Sequence, residues 1–172
     1  MPFSVELYFD QTSEAQLNAV AEAVGPKFHL EGSLPHISLA VFETVDHTKF
    51  KERLSDFAKN LEPFEIHIAS VGTFPGDEGV VFFAPVVDLK LLTTHSTFHQ
   101  EFNDLLSQKW AYYEPGRWVP HISIGYGLSE LEIDNAIKVC RSSNSFGTKN
   151  VARIGLLEFN PARKKYCFDF GG

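Results

Sequence analysis

Pro35-His36-Ile37-Ser38 and Pro120-His121-Ile122-Ser123 are one tetrapeptide written twice, about half a chain of 172 residues apart. Each copy lies in a stretch of apolar and β-branched residues, 34–42 and 121–127, that reads as a β-strand. Side chains alternate across a strand. His36 and Ser38 therefore point to one face and Ile37 to the other, and His121 and Ser123 oppose Ile122 in the same way. Strict alternation carries the first apolar face on through Leu39 and Val41, and the second through Ile124. The next residues on the polar faces are small, Ala40 in one copy and Gly125 and Gly127 in the other, which leaves room for a ligand.

Two such faces opposed across a cleft would bring two imidazoles and two hydroxyls onto one small group. Histidine is the side chain best matched to proton transfer near neutral pH. One neutral ring could take a proton from water or a ribose hydroxyl, and the other, charged, could donate to a leaving oxygen. Ser38 and Ser123 could hold the non-bridging oxygens of a phosphate ester. His36 and His121 are thus the candidate catalytic residues and Ser38 and Ser123 the candidate phosphate-binding ones. The scheme needs no metal and no other cofactor. Base and acid stay unassigned, because the two copies are interchangeable. Two other readings use the same residues. One is a binding module that holds a phosphorylated nucleotide or RNA end without turnover. The other is a metal-dependent hydrolase built on His36, His121 and a carboxylate.

The surrounding elements recur in the same order. Phe3, Val5, Leu7 and Phe9 alternate with Ser4, Glu6 and Tyr8, the pattern of a half-buried strand. Ser13 with Gln16 has the form of a capping box, ahead of a helix striped by Leu17, Val20, Ala21 and Val24 and stopped at Gly25-Pro26. Beyond the first motif, Phe50, Leu54, Phe57 and Leu61 mark a second helix, and 64–73 a third strand. A turn at 75–79 leads to a strand at 80–87. Asp88 caps a helix striped by Leu91, His95, Phe98, Phe102 and Leu105. After the second motif, Ser129 and Glu132 open a helix with Ile133, Ala136, Ile137 and Cys140 inward. A strand at 151–159, a turn at Asn160-Pro161 and a last strand at 166–170 complete the chain. Strand, helix, strand, helix, strand thus occurs twice, with one strand added, and each half carries its His-x-Ser on its second strand. The predicted class is α+β: one domain over residues 1–172, antiparallel sheet with helices packed outside it, and a pseudo-twofold duplication.

The formal net charge is −7 and the pI about 5.4. That argues against the broad basic surface that duplex DNA requires, while a small anion can still bind a locally positive pocket. The first residues have neither a basic segment nor a long apolar stretch, and no run approaches the roughly 18 apolar residues of a membrane span. Neither a signal peptide nor a membrane segment is expected. Cys140 and Cys167 lack C-x-x-C spacing and read as reduced thiols of a cytoplasmic protein.

His95 and His99 stand at i, i+4, but His95 falls on an apolar stripe and no Glu follows it, so helix packing is expected rather than zinc. His29, His47 and His67 stand singly. The loop 112–118, Tyr-Tyr-Glu-Pro-Gly-Arg-Trp, could stack a base and hold a phosphate or could be a lid over the core. Tyr8, Arg117, Trp118 and Tyr126 are the candidate substrate contacts. Arg163-Lys164-Lys165 reads as a solvated hairpin end.

Two His-x-Ser motifs on strands, half a small protein apart, resemble the paired motifs of the 2H phosphoesterases, a family that includes the 2′-5′ RNA ligase-like proteins and cyclic phosphodiesterases. The resemblance in size and order of elements covers essentially the whole chain. It implies a bilobal fold with a central cleft between two antiparallel sheets. It also implies catalysis by His36 and His121, phosphate binding by Ser38 and Ser123, and metal-free chemistry on 2′,3′-cyclic phosphates or 2′-5′ linkages. The substrate would be a nucleotide or an RNA terminus. The acidic charge favours the nucleotide, and a monomer is expected.

Overall fold

The strand and helix order runs through both halves of the computed structural model, which describes residues 2–25, 33–159 and 162–172. Pro26, His29 and the turn expected at Asn160-Pro161 lie outside the described residues. The elements are β1 (Phe3–Phe9), α1 (Gln11–Val24), β2 (His36–Val45), α2 (His47–Lys59), β3 (Phe64–Thr73), β4 (Val81–Pro85) and α3 (Leu89–Phe102). Then follow β5 (Leu106–Lys109), a 3-10 turn (Ala111–Tyr113), β6 (Ile122–Gly125), α4 (Glu130–Ser142), β7 (Gly147–Glu158) and β8 (Arg163–Asp169).

The strands form one antiparallel sheet in the order β5-β2-β1-β7-β3-β4-β6, with β8 also on β7. β7 carries β1 along one edge and β3 and β8 in succession along the other, since its residues 153–158 pair with both β1 and β8. The two sheets expected are therefore continuous, joined by the ladder from Phe64–Val151 to Ile68–Gly147. The order β2-β1-β7-β3-β4-β6 is symmetric about its centre: each half lends its third strand to the other half's sheet. That double duty makes β7 longer than its apolar run suggests. The sheet bends until β2 and β6 touch, although four strands separate them. Helices α2 and α3 back the first half, through Phe50, Phe57, Phe98 and Phe102 in ring contact, and α1 packs on α4. One hydrophobic cluster runs through both halves.

Register decides which side chains meet the site. Val5 pairs with Ala40 but Glu6 with Ser38, leaving Leu39 as an extra residue on β2. Val81 pairs with Gly125 but Phe82 with Ser123, leaving Ile124 extra on β6 in the same way. A β-bulge follows each His-x-Ser and reverses the strand's facing. Before the bulge, His36 and Ser38 lie beside Tyr8 and Glu6. After it, Ala40 and Phe42 lie beside Val5 and Phe3 in the core, and Val41 beside Ser4. The continuous face expected from Ile37 through Leu39 to Val41 is thus broken, and Ala40 and Gly125 are turned away from the ligand space. The halves also agree further on: Gly155 opposes Glu6 as Gly72 opposes Phe82, and bulges leave Ala152 without a partner on β1 and Ala69 without one on β4.

Other local readings are corrected by competing hydrogen bonds. Asp10, not Ser13, caps α1: its Oδ1 accepts from Ser13 N at 2.8 Å, and buried Ser13 accepts from Asn150 N at 3.1 Å. The Ser129–Glu132 capping box forms as read. Helix α3 ends at Phe102, and 106–109 becomes an edge strand on β2, too short to show a period. Arg163, Lys164 and Lys165 lie in β8 rather than in a turn. β1 is buried on both faces, not one. Both cysteines are free. Among the described residues no helix is long and apolar enough to cross a membrane.

Candidate active site

Each motif histidine is tethered to the backbone two residues before it. His36 Nδ1 donates to Leu34 O at 2.7 Å and His121 Nδ1 to Val119 O at 2.8 Å. A carbonyl can only accept, so the proton is assigned to Nδ1 in both rings and Nε2 is left available for other partners. Pro35 and Pro120 lie between histidine and carbonyl, and each fixes its φ and so the shape of the tether.

Beyond this shared feature the rings differ. His36, half-buried, places Nε2 3.4 Å from Glu6 Oε1. Glu6 is 1% exposed, and its other oxygen accepts from Tyr8 Oη at 2.7 Å. Tyr8 is equally buried, with its ring edge-on to His36 and the cations of Arg153 and Lys164 beside it. Burial pushes the Tyr8 phenol far up, and the charge and hydrogen bond of Glu6 add to this, so it stays a donor. His121 instead meets aromatic edges, Phe74 at 4.9 Å and Phe82 at 5.5 Å between ring centres. Burial holds its pKa below the ordinary 6.5. The Val119 carbonyl pulls the other way, and the His36 charge lowers it further. The contact between β2 and β6 brings the two motif strands together, and the His36 charge acts on His121.

Ser38 Oγ accepts from Ser4 Oγ at 3.1 Å, and Ser123 is exposed on β6. Tyr8 lies in the floor, too buried to present its ring to a ligand. Trp118 donates Nε1–H to Ser38 O at 2.9 Å and stacks on His95 at 3.9 Å, which covers one of its faces and pins the 110–118 loop to β2. Arg117 and Tyr126 are exposed. Sequence reasoning missed Glu6 and Ser4. Their signal was the alternation of β1, which sets Ser4, Glu6 and Tyr8 on one face.

His95 and His99 are buried packing residues. His95 Nε2 donates to Tyr113 O at 2.9 Å and His99 Nε2 to Leu39 O at 3.0 Å, the carbonyl of the bulge. Among the described residues no three His, Cys, Asp or Glu side chains are grouped to hold a metal. Burial drives the His95 pKa down to about 4 and lowers that of His99. The unfolded chain therefore takes up protons first as pH falls below 6.5, and stability is lost between pH 6.5 and about 4. Urea unfolding at pH 7 and pH 5 should show a loss of about 2 kcal/mol attributable to His95, absent in His95→Gln.

Comparison with known proteins gives a consistent result. Residues 9–162 match the sequence model of the 2′-5′ RNA ligase superfamily. A Bacillus anthracis protein named as a phosphoesterase is 25% identical over 160 residues, covering 91% of this chain and 88% of that one. The TT0787 structure from Thermus thermophilus superposes with a TM-score of 0.65 at 18% identity, covering 100% of this chain and 99% of that one. Escherichia coli LigT, crystallised with 3′-AMP, gives 0.58 at 14% identity, covering 98% and 96%. Kluyveromyces marxianus Usb1 gives 0.51 at 10%, covering 95% and 96%.

Proposed function

Because the chain belongs to the 2′-5′ RNA ligase superfamily, we propose that it is a metal-independent phosphodiesterase acting on the 2′,3′-cyclic phosphate of a nucleotide or RNA end, or on a 2′-5′ linkage. The observation that carries this is the matching Nδ1 tether of His36 and His121 on two motif strands that contact each other. His121 is the base. Its depressed pKa keeps Nε2 unprotonated, so it can take the proton from an attacking water. His36 is the acid. The water oxygen bonds to phosphorus, the bond to the ribose oxygen breaks, and that oxygen receives the His36 proton. With a ribose hydroxyl in place of water, the same steps join or exchange a 2′-5′ linkage. Ser38 and Ser123 hold the non-bridging oxygens, and each serine-to-alanine change is expected to lower kcat by about 10²-fold. The nucleotide bound to LigT, on a like fold, and the net charge of −7 both favour a nucleotide-sized ligand over duplex nucleic acid.

The test is turnover of 2′,3′-cyclic nucleotides with a chelator present. Product formation supports the reading. Loss of activity on chelation would instead support a metal-dependent hydrolase, and tight binding without product a binding module. The acidic limb of kcat/KM against pH should lie below pH 6.5, because a base of lowered pKa stays neutral further into acid.

A further inference from the structure

The first half of the molecule has a buried carboxylate where the second has a ring. Glu6 lies opposite Ser38, and the residue opposite Ser123 is Phe82. A buried carboxylate is costly unless it is paired and hydrogen-bonded. Among the described residues the side chains that meet Glu6 are Tyr8, through Oη at 2.7 Å, and His36, through Nε2 at 3.4 Å. His36 thus has an acceptor at each ring nitrogen, Leu34 O and Glu6 Oε1, and only the imidazolium has a donor for both. His121 has Val119 O on one side and phenylalanine edges on the other.

We propose that Glu6 is a positioning residue that keeps His36 in its proton-donating form and so decides which of two like histidines is the acid. It acts through His36, and the inference rests on the phosphodiesterase reading of the site. Other titratable groups that act with the pair include Tyr113 of the 3-10 turn, which feels both Glu6 and Glu78, and His121 of the facing motif. Arg153 and Lys164 stand over the Tyr8 ring, and Cys167 acts on the Tyr8 phenol. Gly155 makes the arrangement possible. A Cβ there would stand 2.7 Å from Tyr166 O and 3.0 Å from the Tyr8 ring, displacing the hydroxyl that orients Glu6.

Glu6→Gln keeps the shape and removes the charge. Nitrogen-15 NMR of the histidine rings in the free protein at pH 7 should show the protonated share of His36 falling about tenfold. The basic limb of kcat/KM should move down by about one pH unit, with kcat reduced and KM little changed, the effect expected of losing an adjacent opposite charge. An unchanged His36 signal in folded Glu6→Gln overturns the proposal whatever the turnover. If the unaltered protein cleaves no ester yet the His36 signal changes, the phosphodiesterase reading fails and the hold of Glu6 on His36 stands. Should Glu6→Gln not fold, the converse measurement decides. In His36→Gln the Glu6 carboxyl, followed by carbon-13 NMR, should protonate at higher pH than in the unaltered protein, and no change overturns the proposal.

Discussion

His121→Ala is expected to lower kcat on a 2′,3′-cyclic nucleotide by about 10³-fold, within the 10²–10⁴ range typical of a positioned general base. The protein should stay folded, because His121 is tethered to a loop carbonyl and lies against rings that can close over the gap. His36→Ala should cost a similar factor by removing the proton donor. The two losses should not multiply if base and acid act in one step as proposed, because the first deletion then removes most of what the second could. Single-turnover rates on both single variants and the double variant check this. Rates that survive either deletion would show that the cleft chemistry runs through other groups.

The second large effect is on stability. Gly79 has φ +60°, and a Cβ there would stand 2.0 Å from Leu128 O and 2.5 Å from Leu128 N. Both atoms are backbone and cannot swing aside. The same strip holds two cross-links, Gly127 N to Glu78 O at 2.9 Å and Leu128 N to Gly79 O at 3.1 Å, which tie the entry of β4 to the exit of β6. Gly79→Ala must break that contact as well as strain its own backbone. The expected loss is about 3 kcal/mol or more, read from the urea midpoint. Gly127 is the control. Its φ is +69° but nothing lies within 4 Å of its Cβ position, so Gly127→Ala should cost about 1 kcal/mol. Equal losses at the two positions would mean that conformation alone, without the clash, sets the cost.

The elements and the motif pair were legible because period and chemistry coincide there: Ile37 and Ile122 are core residues, and His36, Ser38 and Ser123 pair on the opposite face. The rest depended on long-range partners. Ser13 looks like a cap until Asp10 and Asn150 are in place. β1 looks half-buried because alternation reports polarity, not what covers it, and its polar face lies beside the first motif on β2. Glu6 escaped notice for that reason. The order of β7 and β3 across the halves, and the extra residues Leu39 and Ile124, are set by pairing that no local window contains.

The bulge behind each serine also limits how large the reactive patch can grow. Past Ser38 the strand gives its next pairing position, Ala40, to the core, and past Ser123 it gives Gly125. Each motif strand therefore sets only its His and Ser in a row before the bulge. On the proposed reading, four such groups can surround one phosphate but cannot follow a backbone of several. Preference for longer substrates would then have to be written outside these strands, where exposed residues such as Arg117 and Tyr126 can change without disturbing either one.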